Sequence, residues 1–234
     1  MSRKPNPRIK QMDDALQALI RRIEKPEKAD LAIERLNARF GSPCAIVEAR
    51  VHQIEREGLS HANALLVSML PAIVRYMGRE QFGRRPKLST LSVAADFLQT
   101  RFLGLQIEHF HLLCLDKRGK LIDSVHLQEG TVDSAPFYPR HVLAEVVRTQ
   151  AHALVLSHNH PGGTMRPSQS DIECTMGLIP TLEMLRVVLL DHIVIADKQV
   201  VSFREMGYLR AGMLSPASEN DPLYKNWIDK HYLD

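Results

Sequence analysis

Two histidines and one aspartate carry the clearest chemical signal in the sequence. His158 and His160 are separated by one residue, and Asp171 follows after a Pro-Gly-Gly turn. Side chains two residues apart in a strand point to the same face, so both imidazoles can face one point. An aspartate in the first turn of a following helix can meet them there. Two imidazoles and one carboxylate suit a catalytic zinc with a free fourth position, and they also suit ferrous iron or manganese.

Each part of this pattern also has an ordinary structural explanation. Ser168 and Asp171 have the spacing of a helix-capping pair, and Pro-Gly-Gly alone predicts only a turn. A lone histidine is more often a surface or core residue than a ligand. The joint occurrence of these parts at this spacing nevertheless favours a metal site formed by His158, His160 and Asp171. The helix cap can coexist with that site.

The elements that must position these residues follow from the hydrophobic pattern of the C-terminal part of the chain. Short apolar or alternating runs predict strands, and longer segments with helical spacing lie between them. Because helices interleave with strands, the predicted fold is α/β (α+β), a mixed sheet flanked by helices. The predicted strands are 108–115, 120–127, 152–156, 187–195 and 200–203, and the predicted helices are 92–101, 139–150 and 168–185.

The N-terminal part has a different pattern. Residues 15–83 show helical spacing of apolar residues and predict a small all-helical domain. Residues 1–14 are basic with two prolines and are interpreted as a flexible arm. The basic Gly/Pro connector QFGRRPKL at 81–88 is the predicted boundary to the metal domain, residues 88–212. Residues 213–234 have no clear period and are interpreted as a C-terminal tail.

The composition is typical of a globular protein. Hydrophobic residues make up 44 % of the chain and charged residues 24 %. The three cysteines are far apart, odd in number and without a CxxC pair, which excludes a disulfide framework and a thiolate zinc ribbon. No secretory signal is recognisable, and no apolar stretch is long enough to span a membrane. We therefore expect a cytoplasmic protein with no membrane partner.

Charge is distributed unevenly along the chain. Residues 1–90 hold 17 Lys and Arg against 10 Asp and Glu, although the whole chain has a net charge of only +3. A basic N-terminal part favours an acidic partner such as nucleic acid. The alternative is that these charges lie on solvated helix faces without binding anything.

The surroundings of the histidines resemble a known family. His158, His160, Ser168 and Asp171 fill the pattern H-x-H-x(7)-S-x-x-D, which is similar to the signature of JAMM (MPN+) metalloproteases. Further segments resemble the bacterial RadC family across residues 88–212. These segments are GTVDSAPFYPRHV, HALVLSHNHPGG, PSQSDI and LLDHIVIADKQVVSF.

The resemblance implies a JAMM/MPN-like fold and assigns roles to residues. One Zn²⁺ per chain would be held by His158, His160 and Asp171. Glu108, which precedes the strand leading into a Leu-Asp turn, would be the base that activates a water, and Ser168 would stabilise the oxyanion. The implied activity is a zinc-dependent metallohydrolase that cleaves a peptide or isopeptide bond in a protein or peptide substrate.

Three further histidines lie in segments similar to the family. His192 lies in a predicted strand, and His109 and His111 flank the expected base. His192 is interpreted as structural or as a neighbour of the metal ligands, and His109 and His111 as scaffold residues or parts of a pocket wall.

RadC proteins also carry a helix–hairpin–helix-like region, which implies DNA binding through backbone N–H groups at a glycine-bearing hairpin. The comparable segment is 53–66. Gly58 is present, but Ser60 occupies the position where a second glycine is expected. The phosphate-binding motif is therefore incomplete. A protein-interaction or substrate-presenting role is equally supported. Two alternatives to the hydrolase therefore stay open, a DNA-associated repair factor that binds DNA through residues 1–90 and a scaffold whose metal site is a relic.

Overall fold

The computed structural model describes residues 7–130, 137–196 and 199–229. The chain forms two compact units, residues 1–76 and 77–234. The division falls within a helix that continues to Phe82, a few residues before the Gly/Pro connector at 81–88 that the sequence suggested as the boundary.

The described part of the first unit is helical and has its own apolar core. The first helix begins at Pro7, so the flexible arm predicted for residues 1–14 is corrected for its last eight residues. Ile9 and Met12 extend the helical spacing of Leu16 in the sequence, which explains the earlier start. Residues 1–6 lie outside the described residues. The helices are α1 (Pro7–Ile23), α2 (Pro26–Phe40), α3 (Pro43–Glu48), α4 (Val51–Arg56) and α5 (His61–Phe82), the last of which runs into the second unit.

The second unit contains a five-stranded mixed sheet with the strand order β2-β1-β3-β4-β5. Only β3 and β4 are parallel, and they are joined through a helix as a β-α-β unit, while the other neighbours pair antiparallel. The strands are β1 (Glu108–Leu115), β2 (Leu121–Gly130), β3 (Ala153–His160), β4 (Val188–Ala196) and β5 (Gln199–Ser202).

Helices cover both faces of this sheet. Phe102 packs edge-on against His111 on one face, and Thr175 contacts His192 on the other. The mixed sheet flanked by helices, with a helical part ahead of it, confirms the predicted fold class. The helices of this unit are α6 (Leu91–Phe102), α7 (Pro139–Thr149), α8 (Gln169–Met184), α9 (Pro216–Glu219) and α10 (Pro222–Asp229).

The C-terminal segment is part of the core. Leu223, Tyr224 and Trp227 of α10 are buried in the same apolar cluster as the sheet. The side chain of His152, just ahead of β3, also lies 2.7 Å from Asp221. Residues 213–229 are therefore packed structure and not a loose tail. The sequence analysis found no period in this segment, although Leu223, Tyr224 and Trp227 have the i, i+1, i+4 spacing of one helical face.

Within the described residues, no helix is both long and apolar enough to cross a membrane.

Candidate metal centre

The centre forms where β3 ends and α8 begins. His158 and His160 are the third-last and the last residues of β3, and both side chains are buried. Asp171 is the third residue of α8 and is also buried. The Pro-Gly-Gly turn and the short segment 164–168 reverse the chain after β3, so that the first turn of α8 lies at the end of β3. The structure thus brings together the three residues that the sequence predicted as ligands.

Three ligand atoms face one another across this centre. His158 Nε2 lies 2.9 Å from His160 Nε2 and 3.7 Å from Asp171 Oδ2. One ligand atom from each of the three residues lies within 4.8 Å of the others. A tetrahedral zinc with bonds of about 2.0–2.1 Å separates its ligand atoms by roughly 3.3 Å. The observed separations bracket that value.

A chain of hydrogen bonds fixes which nitrogen of His158 carries the proton. The Thr175 hydroxyl donates to the Asp171 carbonyl oxygen at 2.6 Å, because a carbonyl can only accept. The same hydroxyl must then accept from His192 Nδ1 at 2.7 Å, which leaves His192 Nε2 without a proton. His158 Nδ1 lies 2.8 Å from that atom and donates to it. When the His158 ring is neutral, Nε2 therefore carries no proton and its lone pair faces the centre.

Burial keeps both of these histidines neutral. His158 and His192 are fully enclosed, and removal from water disfavours the charged imidazolium. Burial lowers the pKa of His192 to about 3. The pKa of His158 lies well below its usual range for the same reason, reinforced by the neighbouring His192 and His160.

His160 has the same arrangement of protons. Its Nδ1 lies 2.6 Å from the Thr164 carbonyl oxygen, which can only accept, so in the neutral ring Nε2 is bare. When both rings are neutral, His158 Nε2 and His160 Nε2 face each other as two unprotonated nitrogens at 2.9 Å. Such a pair is repulsive unless a cation lies between the two. The donor set therefore fits a bound transition-metal ion.

Glu108 lies beside the three candidate ligands. It is the first residue of β1, and its Oε1 is 3.8 Å from His160 Nε2. Burial raises the pKa of the Glu108 carboxyl, and the negative charge of Asp171 acts in the same direction, while His160 opposes both. A carboxyl with a raised pKa at this distance is suited to accept a proton from a water in the centre.

Ser168 contacts Asp171 through three hydrogen bonds. The Ser168 hydroxyl and backbone N–H donate to Asp171 Oδ2 at 2.6 and 2.8 Å, and the Asp171 N–H donates to the Ser168 hydroxyl oxygen at 3.1 Å. This is the capping box that the spacing predicted. It orients the carboxylate toward the histidines. Because the Ser168 proton is already donated to Asp171, a substrate oxyanion would have to compete for it.

An open groove leads to the centre. It has a volume of about 420 Å³ and is lined by Glu108, His160 and Ser168, together with Arg166 at its wall. On the inner side, the Phe110 ring stacks on His158 with the ring centroids 4.3 Å apart. Arg166 was not predicted from the sequence, because an exposed arginine after a turn has no distinguishing pattern.

Comparison with known proteins defines the family. Residues 88–208 match the model of the RadC-like JAB domain. A UPF0758 protein of Shewanella sp. (strain ANA-3) is 33 % identical over 171 residues, which is 73 % of this chain and 76 % of the relative. The chain belongs to the RadC-like JAB domain family. A UPF0758 protein of Ruegeria pomeroyi is 33 % identical over 192 residues, 82 % of this chain and 85 % of the relative.

The RadC-like JAB domain contains every residue of the centre. The matched range begins ahead of Glu108 and ends beyond His192. From the sequence, His192 was interpreted as structural or as a neighbour of the metal ligands, and in the structure it contacts His158. Thr175 was missed altogether. Its signal in the sequence was weak, a hydroxyl one helical turn after the expected ligand Asp171.

Proposed function

We propose that this RadC-like JAB protein is a zinc-dependent hydrolase that cleaves a peptide or isopeptide bond. The observation that carries the proposal is the convergence of one ring nitrogen each from His158 and His160 with the Asp171 carboxylate. Glu108 lies beside this set and is not needed as a ligand. Three protein ligands with a nearby glutamate are typical of hydrolytic zinc sites.

The residues around the centre have distinct roles in this proposal. When bound, zinc lowers the pKa of a water toward neutrality and polarises a carbonyl oxygen. Glu108 accepts the proton of the attacking water and delivers it to the leaving amine. Ser168 holds Asp171 in position through the capping box. The stacked ring of Phe110 excludes water from the inner side of His158.

The groove supports a chain-like substrate. It is open to solvent and is lined by Glu108 and His160, so an extended segment can enter from outside and present its amide to the centre. Arg166 offers a positive charge along this path, which suits an acidic side chain or a terminal carboxylate. A protein or peptide substrate fits this shape better than a fully enclosed small molecule.

The test combines metal content with hydrolysis. Protein stripped by a chelator and reloaded with Zn²⁺ is assayed against peptide and isopeptide substrates, together with Glu108→Gln. We expect Glu108→Gln to keep the metal and to lose activity by at least about 100-fold, as for the removal of a general base. Glu173→Gln is the control, because Glu173 is exposed and its carboxylate contacts Gln169. A Glu108→Gln variant as active as the wild type would contradict the proposal, as would a folded wild type that binds no zinc.

A DNA-binding role for residues 1–90 has weaker support. Ser60 in the α4–α5 hairpin, where a phosphate would approach, donates its backbone N–H to Glu24 Oε2 at 2.9 Å. Asn63 Nδ2 donates to the same oxygen at 2.8 Å. An internal carboxylate therefore already occupies these donors. Contact with DNA through this unit would have to use its basic side chains, and salt-dependent binding that disappears with residues 1–87 would be its evidence.

A further inference from the structure

A second group of histidines lies on the other face of the sheet. His109 and His111 of β1 and His126 of β2 each offer a ring nitrogen, and these atoms lie within 4.8 Å of one another. His109 Nδ1 is 3.1 Å from His126 Nε2. The ring centroids of His111 and His126 are 5.1 Å apart. We call these three residues the histidine trio.

The trio and the candidate metal centre are separated by the sheet. Side chains alternate along β1, so His109 and His111 point away from the face on which Phe110 stacks against His158. His111 instead packs edge-on against Phe102 of α6, with the centroids 5.2 Å apart. The trio is therefore not an extension of the first centre.

A β-bulge brings the trio together. Phe110 pairs with Gln128, but His111 pairs with His126, so Leu127 is the extra residue in β2. In a regular strand His126 and Glu129, three residues apart, would point to opposite faces. The bulge turns both to the face of His109 and His111, and bulges are known to redirect side chains in this way.

Glu129 lies near the ring nitrogen of His109 that faces away from His126. Its Oε2 lies 3.6 Å from His109 Nε2, directly across the strand pair. A proton on Nε2 that faces the carboxylate leaves Nδ1 bare toward His126. Histidine ligands of metals commonly present their other N–H to a carboxylate in this way.

From this geometry we infer that the trio is a second metal site, which binds a divalent transition-metal ion such as Zn²⁺ between β1 and β2. Imidazole nitrogens suit Zn²⁺, Cu²⁺ and Ni²⁺ and not Mg²⁺ or Ca²⁺. His126 is exposed, which gives an ion access from solvent. A bound ion would cross-link the two strands directly beside Glu108, the first residue of β1.

The test is a zinc count on folded, full-length protein. Wild type and His126→Asn are dialysed against buffer with micromolar free Zn²⁺, and the bound zinc per chain is measured by elemental analysis. His126→Asn changes an exposed side chain, and far-UV circular dichroism verifies that the variant is folded. His52→Asn replaces another exposed histidine outside the trio and serves as the matched control. The same count is made in the His160→Asn background, which removes one ligand of the first centre.

We expect His126→Asn to bind one zinc fewer than wild type, and His52→Asn to bind the same number. His160→Asn should keep one zinc, which the additional His126→Asn substitution removes. A wild type with one zinc that disappears in His126→Asn would support the trio and contradict the hydrolytic centre, so the two proposals fail separately. A His126→Asn protein that binds as much zinc as wild type would overturn the inference and leave the trio as a hydrogen-bonded cluster only.

Discussion

His158 Nδ1 lies 2.8 Å from His192 Nε2, and this contact determines how the candidate metal centre can work. The two residues lie on the parallel strands β3 and β4, which α8 connects. Since His192 is neutral and protonated on Nδ1 toward Thr175, it can only accept the proton of His158. A buried pair that is distant in sequence thus presents a bare nitrogen of His158 to the centre.

The first prediction concerns Thr175. Thr175→Val removes the acceptor for His192 Nδ1–H and frees that ring to place its proton on Nε2. His158 would then have to accept on Nδ1, and its own proton would move to the nitrogen that binds the metal. We expect zinc affinity to fall by about 10–100-fold, as is usual when the hydrogen-bond partner of a ligand is lost.

The affinity is measured by competition with a chelator in the His126→Asn background, so that the histidine trio does not contribute. Thr175→Ser keeps the hydroxyl and should restore most of the affinity. Thr181→Val, elsewhere on α8, is the control. Unchanged zinc affinity in a folded Thr175→Val protein would refute the proton chain.

The second prediction separates the two roles of Ser168. Ser168→Ala removes the N-cap of α8 and the donor that orients Asp171. Without metal, we expect a loss of about 1 kcal/mol in the free energy of unfolding, from the cap alone. Ser42→Ala removes another serine cap, on α3, where the serine accepts from the Ala45 N–H. Only Ser168→Ala should also weaken zinc binding, as measured by calorimetry; equal zinc affinity in both variants would contradict the positioning role.

The third prediction is a pH dependence of the first unit. Hydrogen bonds from the Ser60 N–H and from Asn63 lower the pKa of Glu24 from 4.5 to about 2. A carboxyl with a lowered pKa stabilises the folded state fully above pH 4.5, and this stability is lost as the pH falls toward 2. Glu24→Gln should therefore cost roughly 1–2 kcal/mol at pH 7 and progressively less below pH 4.5.

Urea unfolding followed by circular dichroism at several pH values gives this difference. Glu34→Gln, an exposed glutamate on α2, is the control and should show no such trend. If the difference between wild type and Glu24→Gln stays constant from pH 7 to pH 2.5, the ionised Glu24 is not its source.

The fourth prediction concerns the C-terminal helix. Trp227 is completely buried in the core of the second unit. Trp227→Ala should cost about 3–5 kcal/mol, the usual range for truncation of a buried tryptophan. Trp227 is the chain's single tryptophan, so unfolding is followed by circular dichroism and not by fluorescence. Trp227→Phe retains much of the apolar contact and should lose less stability. An unfolding midpoint of Trp227→Ala equal to that of the wild type would mean that α10 is not part of the cooperative core.

The local features of this protein can be predicted from short stretches of the sequence. The predicted strand 108–115 coincides with β1, because its apolar alternation is read directly from neighbouring residues. The capping box of Ser168 and Asp171 likewise depends only on residues three apart. The strand predicted at 152–156 was too short, although the prediction that His158 and His160 share one face already required strand geometry beyond residue 156. β3 continues to His160, and its polar end is buried by tertiary packing.

The contacts between distant segments depend on the tertiary structure. Glu108 reaches His160 because β1 pairs antiparallel with β3, and the register of that pairing is not encoded in either strand alone. The bulge that gathers the histidine trio and the contact of His192 with His158 have the same origin. Local periodicity determines which face a side chain occupies, but only the closure of long loops and the packing of the core determine what it meets there.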